Sequence, residues 1–134
     1  MTVTKTDSLP VRTSTDIVVI RQEVRKWSVE LGFSLVDQTK MITAASELAR
    51  NSLDHGGGGV VRFERIEDAL RRGLRLTFED RGPGIPDIDR ALTDGYTTGK
   101  GMGLGLGGAK RLVNEFEISS RAGEGTRVTI TRWK

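Results

Sequence analysis

The chain of 134 residues has no cysteine and a single histidine, His55. Neither a disulfide framework nor a thiolate or multi-histidine metal site can be built from it. Aromatic residues are sparse, with two tryptophans, one tyrosine and four phenylalanines. That scarcity argues against a base-stacking platform for nucleic acid. The apolar runs are only a few residues long, too short for a transmembrane helix. The opening MTVTKTDSLP has no apolar signal core. A soluble cytoplasmic protein with no membrane partner is therefore expected. A strong excess of one charge is also missing, with 21 basic against 18 acidic residues and a net charge of +3. Arg62, Arg65, Arg71, Arg72 and Arg75 cluster, but Glu64, Glu67 and Asp68 lie among them. This reads as a solvated face of mixed sign rather than a phosphate-tracking stripe, and no nucleic-acid partner is expected. The length predicts one domain, residues 1–134, with one modest core.

Glycine is abundant, at 17 residues, and unevenly placed. Gly56 to Gly59 form a block, and seven more fall between Gly95 and Gly108. Gly82 and Gly84 flank a proline, and Gly123 and Gly125 flank a glutamate.

The remaining pattern predicts a short strand over 9–13, then an N-cap among Ser14, Thr15 and Asp16. Ile17, Ile20, Val24, Trp27 and Leu31 recur at helical spacing up to Gly32, giving a helix over 16–31. Val18, Val19 and Val29 fall off that stripe, as a broadly buried helix or a partner-facing helix would allow. A second helix over 36–54 carries the stripe Met41, Ala45, Leu48, Ala49 and Ser52, and the glycine block stops it. VVRFERI and LRLTFED alternate as the strands of a hairpin. RGPGIPD is a tight loop. A short helix is predicted over 87–93 and another near 104–114. FEISS and TRVTITRW form a closing pair of strands around the AGEG turn. The order β-α-α-β-β-loop-α-β-β predicts a two-layer α/β sandwich, a mixed and mostly antiparallel sheet with helices on one face.

Four stretches carry possible chemistry. GLGLGG, 103–108, satisfies a dinucleotide-binding pattern but lacks the strand that must precede it. GYTTGKG is one residue short of a phosphate loop and has no Ser or Thr after Lys100. The physics of both templates still holds, since bare backbone N–H groups at a helix start favour an anion. In SELARN, Glu47 and Asn51 are four apart and share a helix face at the core edge, with Asp54 on the same side. The amide oxygen of Asn suits a hard cation, and Glu suits a general base. Taken alone, an ordinary solvated helix face explains that pair better. In FEDRGPGIP a strand ends in Asp80, whose carboxylate can accept from an exocyclic amine; an ordinary turn explains it equally well. Thr126, after the GEG turn, opens the last strand with a hydroxyl at the same end. His55 stands at the end of the second helix, where a cation suits the helix dipole, and reads as a cap rather than a phosphate acceptor.

Together, in this order, the four resemble the ATP-binding (Bergerat, GHKL) fold shared by DNA gyrase, the Hsp90 chaperone, histidine kinases and the MutL repair protein. The resemblance covers about residue 16 to the end. VDQTKMITAASELARN and EDRGPGIPDI are similar to the small bacterial anti-sigma and switch serine/threonine kinases, especially the stressosome switch kinases. GMGLGLGG is closer to the glycine box of histidine kinases. With only one histidine, a stand-alone histidine kinase with its own dimerisation helix is not expected.

The resemblance implies a role for each matched residue. Glu47 would be the general base, and Asn51 would hold Mg²⁺ against the phosphates. Asp80 would bind the adenine amino group with Thr126 beside it, and Gly82 and Gly84 would let backbone pass close to the base. Gly101, Gly103, Leu104 and Gly105 would form a lid over the phosphates, with Lys100 within reach of one. The cofactors implied are ATP and Mg²⁺. The implied reaction is γ-phosphoryl transfer to Ser or Thr of a STAS-domain protein, with a PP2C-type phosphatase as a further partner. The alternative is an anti-sigma factor that sequesters a sigma factor and phosphorylates its antagonist.

Overall fold

The computed structural model describes residues 1–85, 88–92 and 105–134. Its elements are β1 (Thr2–Val11), α1 (Ser14–Leu31), α2 (Leu35–Asp54), β2 (Gly59–Glu67), β3 (Arg72–Asp80), α3 (Ile88–Ala91), α4 (Gly105–Arg111), β4 (Glu115–Arg121) and β5 (Gly125–Trp133). The five strands form one sheet in the order β1-β2-β3-β5-β4, with α1 and α2 packed on it and α2 lying between α1 and α4. All four described pairings are antiparallel. The sheet is thus antiparallel rather than mixed, because β5 inserts between β3 and β4, which would otherwise lie side by side as a parallel pair.

Helix α1 is fixed at both ends. Its N-cap is Thr13, one residue before the predicted trio, and Asp16 completes a capping box by accepting from the Arg12 and Thr13 N–H groups at 2.8 and 3.1 Å. Gly32 closes it at φ +82°, a left-handed conformation that glycine adopts without strain. The predicted stripe Ile17, Ile20, Val24, Trp27 and Leu31 is buried, and Trp27 packs on Phe63 of β2 with ring centroids 5.4 Å apart. Val18, Val19 and Val29 are exposed, so α1 is not a broadly buried helix.

Phe63, Val61, Leu74, Leu76, Phe78, Val128 and Ile130 line the helix-facing side of the sheet. The opposite side is polar. Glu64 there accepts from Arg75 at 3.0 Å and lies 3.6 Å from Arg62, and Thr77 meets Thr129 at 3.4 Å. Four of the five clustered arginines, Arg62, Arg65, Arg71 and Arg75, thus pair with the interleaved acids Glu64, Glu67 and Asp68, in keeping with a face of mixed sign. At the β2–β3 turn Asp68 accepts from the Leu70 and Arg71 N–H groups and the Arg71 guanidinium, each at 3.1 Å. These contacts, the Leu70 N–H foremost, hold its carboxyl below the usual range.

Strand β1 is longer than predicted. TVTKT has no period-2 apolar face, so it reads as loop, yet it pairs with β2 on both sides of a register shift at Thr4. The place of an apolar side chain is taken by Lys5, whose ammonium lies 4.2 Å from the Trp27 ring and 3.3 Å from Glu30. At the other end of the sheet Arg132 ties three elements together. It donates to the Leu112 carbonyl after α4 at 2.9 Å and to Asp37 in the first turn of α2 at 2.6 Å. No described helix is long and apolar enough to cross a membrane.

Candidate active site

Helix α2 brings the first pair of residues. Its start is capped by Ser34, whose hydroxyl accepts from the Asp37 N–H at 3.1 Å. Met41, Ala45, Leu48, Ala49 and Ser52 are buried as predicted and fix the helix's rotation over the sheet. Glu47 is buried too, at 6 % exposure, while Asn51 is half-buried and Asp54 exposed. The three therefore run from the core outward rather than along a solvated face. Among the described residues Glu47 has no hydrogen-bond or ion-pair partner, and its oxygens are not among the fully buried atoms left without one, so the carboxylate has an open side. His55 is the C-cap, with its N–H on the Asn51 and Ser52 carbonyls, as expected.

Strand β3 brings Asp80. The register sets Gly59 of β2, Asp80 of β3, Thr126 of β5 and Ser120 of β4 in one row across the sheet end. Asp80 and Thr126, 46 residues apart in sequence, are thus direct neighbours. Asp80 Oδ1 accepts from the Gly82 N–H at 3.0 Å, which turns the chain sharply out of the strand. A concavity of about 300 Å³ at this sheet end includes Asp80, Ser120 and Thr126 among its walls.

The end of α2 meets the end of β3 through glycine. A Cβ on Gly56 would lie 2.2 Å from the Asp80 Cγ, and a Cβ on Gly82 would lie 2.5 Å from the Gly56 Cα. The two glycines therefore let the helix terminus touch the carboxylate and the loop beyond it. Sequence reasoning took the Gly56–Gly59 block as a helix stop and missed this contact. Gly84 has φ +80°, and a Cβ there would meet the Arg121 carbonyl at 2.2 Å, so its close approach is to the β4–β5 turn. Gly105 opens α4 at φ +59° and is buried. Lys100, Gly101, Gly103 and Leu104, the rest of the predicted lid, lie outside the described residues.

Ser120 is the other residue missed. Its hydroxyl receives the Ile85 N–H at 2.7 Å and lies 3.1 Å from the Gly125 carbonyl and 2.8 Å from the Thr126 hydroxyl. The signal was present in FEISS, where period-2 alternation puts Ser120 on the face of Phe116 and Ile118.

This arrangement has relatives. Residues 36–134 match the family described as histidine kinase-, DNA gyrase B-, and HSP90-like ATPase. The chain is 46 % identical over 123 residues to the serine/threonine-protein kinase RsbT of Bacillus subtilis, covering 92 % of each chain. It is 29 % identical over 118 residues to an anti-sigma F factor of a Thermoanaerobacter species, covering 84 % of this chain and 82 % of that one. A solved structure of the RsbU and RsbW domains of a Mycobacterium tuberculosis protein superposes with a TM-score of 0.67 at 25 % identity. That match covers 98 % of this chain and 33 % of the other, so the chain spans about a third of that protein's length. The chain belongs to the histidine kinase-, gyrase- and Hsp90-like ATPase family. Within it, the chain stands with the bacterial serine/threonine kinases of the RsbT and anti-sigma type, and its class of activity is that of an ATP-dependent serine/threonine-protein kinase.

Proposed function

We propose that the chain is a switch kinase of the bacterial cytoplasm. It transfers the γ-phosphate of Mg-ATP to a Ser or Thr of a STAS-domain protein in a stressosome-type pathway and, once released, activates a PP2C-type phosphatase. The observation that carries the reading is one juxtaposition. The Asp80–Thr126 pair at the sheet end abuts the C-terminal end of the helix that bears Asn51 and the buried Glu47.

Each residue then has a task suited to its place. Asp80 accepts from the exocyclic amine of adenine, with Thr126 beside it. Gly105 opens the helix beyond the lid segment, which holds Lys100, Gly101, Gly103 and Leu104 against the phosphates. Asn51 is half-buried and offers a neutral amide oxygen. No cluster of three or more His, Cys, Asp or Glu suited to a metal exists among the described residues. That donor set fits Mg²⁺, which takes one or two protein oxygens, keeps its waters and binds the phosphates for the rest. The bound ion supplies charge neutralisation at the phosphates during transfer. Glu47, on the same helix face as Asn51, takes the proton of the acceptor hydroxyl. Phosphoryl transfer of this kind depends on positioning and charge more than on covalent chemistry.

The deciding measurement is melting temperature with Mg-ATP and with Mg-GTP. At 100 times its Kd a ligand adds about 2.7 kcal/mol of stability, a rise of about 10 °C for a chain of this size. A rise with ATP and little with GTP is expected. Equal rises would remove the adenine reading, and none at millimolar nucleotide would remove the nucleotide site. Asp80→Asn should weaken ATP by about 1–3 kcal/mol, or roughly 5- to 150-fold in Kd, through loss of a charge-assisted hydrogen bond. Unchanged affinity in a titration would take Asp80 out of the site.

The similarity to anti-sigma F factors favours a second reading, an anti-sigma factor that holds a sigma factor and phosphorylates its antagonist. Affinity capture with the tagged chain separates the two. Recovery of a PP2C-type phosphatase supports the first, and recovery of a sigma factor supports the second.

A further inference from the structure

The Ser120 hydroxyl has one proton to give and two lone pairs to receive with. It has three neighbours, and they determine where that proton goes. The Ile85 N–H at 2.7 Å is a donor and occupies one lone pair. The Gly125 carbonyl at 3.1 Å is an acceptor only, so Ser120 must give it the proton. The Thr126 hydroxyl at 2.8 Å is then left one arrangement: it donates its own proton to the second lone pair of Ser120. In the opposite arrangement, Ser120 donating to Thr126, the Gly125 carbonyl faces a lone pair at 3.1 Å and is unbonded on that side. Only the first arrangement satisfies all three contacts.

The consequence falls on Thr126. With its proton drawn toward β4, the oxygen it shows to the cleft beside Asp80 is an acceptor. Asp80 adds two acceptor oxygens and no donor, since an ionised carboxylate only accepts. The row Asp80–Thr126 thus presents acceptors alone to whatever base edge enters.

We propose that Ser120 is a positioning residue that sets nucleobase specificity by fixing the polarity of the Thr126 hydroxyl. The inference rests on the reading of this sheet end as the adenine subsite. A 6-amino purine brings a donor to that edge and is accepted by direct contact. A 6-oxo purine brings an acceptor and meets acceptor against acceptor. Removing the Ser120 hydroxyl releases the Thr126 proton, which can then turn into the cleft and meet a 6-oxo group.

The test is the ratio of GTP to ATP dissociation constants for the full chain with Mg²⁺, in wild type, Ser120→Ala, Ser120→Thr and Thr126→Val. Ser120→Ala is expected to narrow the ratio about three- to tenfold, the worth of one hydrogen bond. Ser120→Thr, which keeps the hydroxyl, is expected to restore it. In the Thr126→Val background, Ser120→Ala should leave the ratio unchanged, because the hydroxyl it acts through is gone. A packing defect alone would weaken both nucleotides equally and leave every ratio at the wild-type value. An undiminished ratio in Ser120→Ala, with wild type preferring ATP, overturns the role of Ser120 and leaves the adenine subsite standing. A wild type that binds ATP and GTP alike overturns the subsite itself. Should Ser120→Ala melt without cooperativity, Ser120→Cys, whose thiol fills the site but accepts and donates only weakly, takes its place with the same two outcomes.

Discussion

Glu47→Gln is expected to lower phosphoryl transfer by about 10²–10⁴-fold, the usual contribution of a general base, while ATP affinity stays within about twofold of wild type. Glu47 differs from the other acids of α2 in its burial. Asp37 is paired with Arg132, and Asp54 is in solvent. Glu47 is 6 % exposed and has no partner among the described residues. Its oxygens are nevertheless not among the fully buried side-chain atoms that lack a partner, so the carboxylate of this otherwise buried residue has an open side. Glutamine keeps the shape and removes only the charge, so the variant should melt close to wild type. The three readouts must agree: transfer of labelled phosphate to a STAS-domain substrate falls, nucleotide titration is unchanged, and the melt does not drop. Equal turnover in variant and wild type would leave ATP binding without catalysis by Glu47.

Where sequence and structure agree, a local pattern sufficed. The stripes of α1 and α2 and the alternation in β2, β3 and β5 each report one face of one element, and all were legible. The Glu47–Asn51 pair was legible as a shared helix face, although only the structure shows Glu47 buried. Other features depend on partners far along the chain. Strand β1 owes its order to pairing with β2, and its polar TVTKT has no face of its own to read. The meeting of Asp80 with Thr126 is a register fact, fixed by β5 lying between β3 and β4. Ser120 enters by the same register one strand further out. The Gly56–Gly59 block was read as a helix stop because a glycine run stops a helix wherever it falls. Its second use depends on what the fold brings opposite it.

That second use gives the other large effect. Gly56→Ala is expected to weaken ATP at least as much as Asp80→Asn, by about 5- to 150-fold or more, together with a loss of stability from the displaced strand and helix ends. The three nearest atoms to a Cβ at position 56 all belong to the Asp80 side chain, at 2.2, 2.5 and 2.6 Å. No backbone atom is as near, and Gly56 is not among the glycines of positive φ, so alanine brings no strain of its own. Turning the Asp80 carboxylate moves Cγ and Oδ2 but not Cβ at 2.5 Å, so the added methyl must both displace the carboxylate from its place beside Thr126 and push the ends of α2 and β3 apart. Gly125 offers the contrast. It has φ +87°, and its Cβ would strike the Asp80 carbonyl at 2.1 Å, so alanine there strains the backbone and should lower the melting temperature with or without nucleotide. If Gly56 acts only through Asp80, the two substitutions share one mechanism. The double variant Gly56→Ala, Asp80→Asn should then bind ATP about as weakly as the weaker single variant, giving a large coupling in the cycle. Additive losses, or a Gly56→Ala chain that keeps its full ATP-induced rise in melting temperature, would show that the helix terminus does not hold the carboxylate.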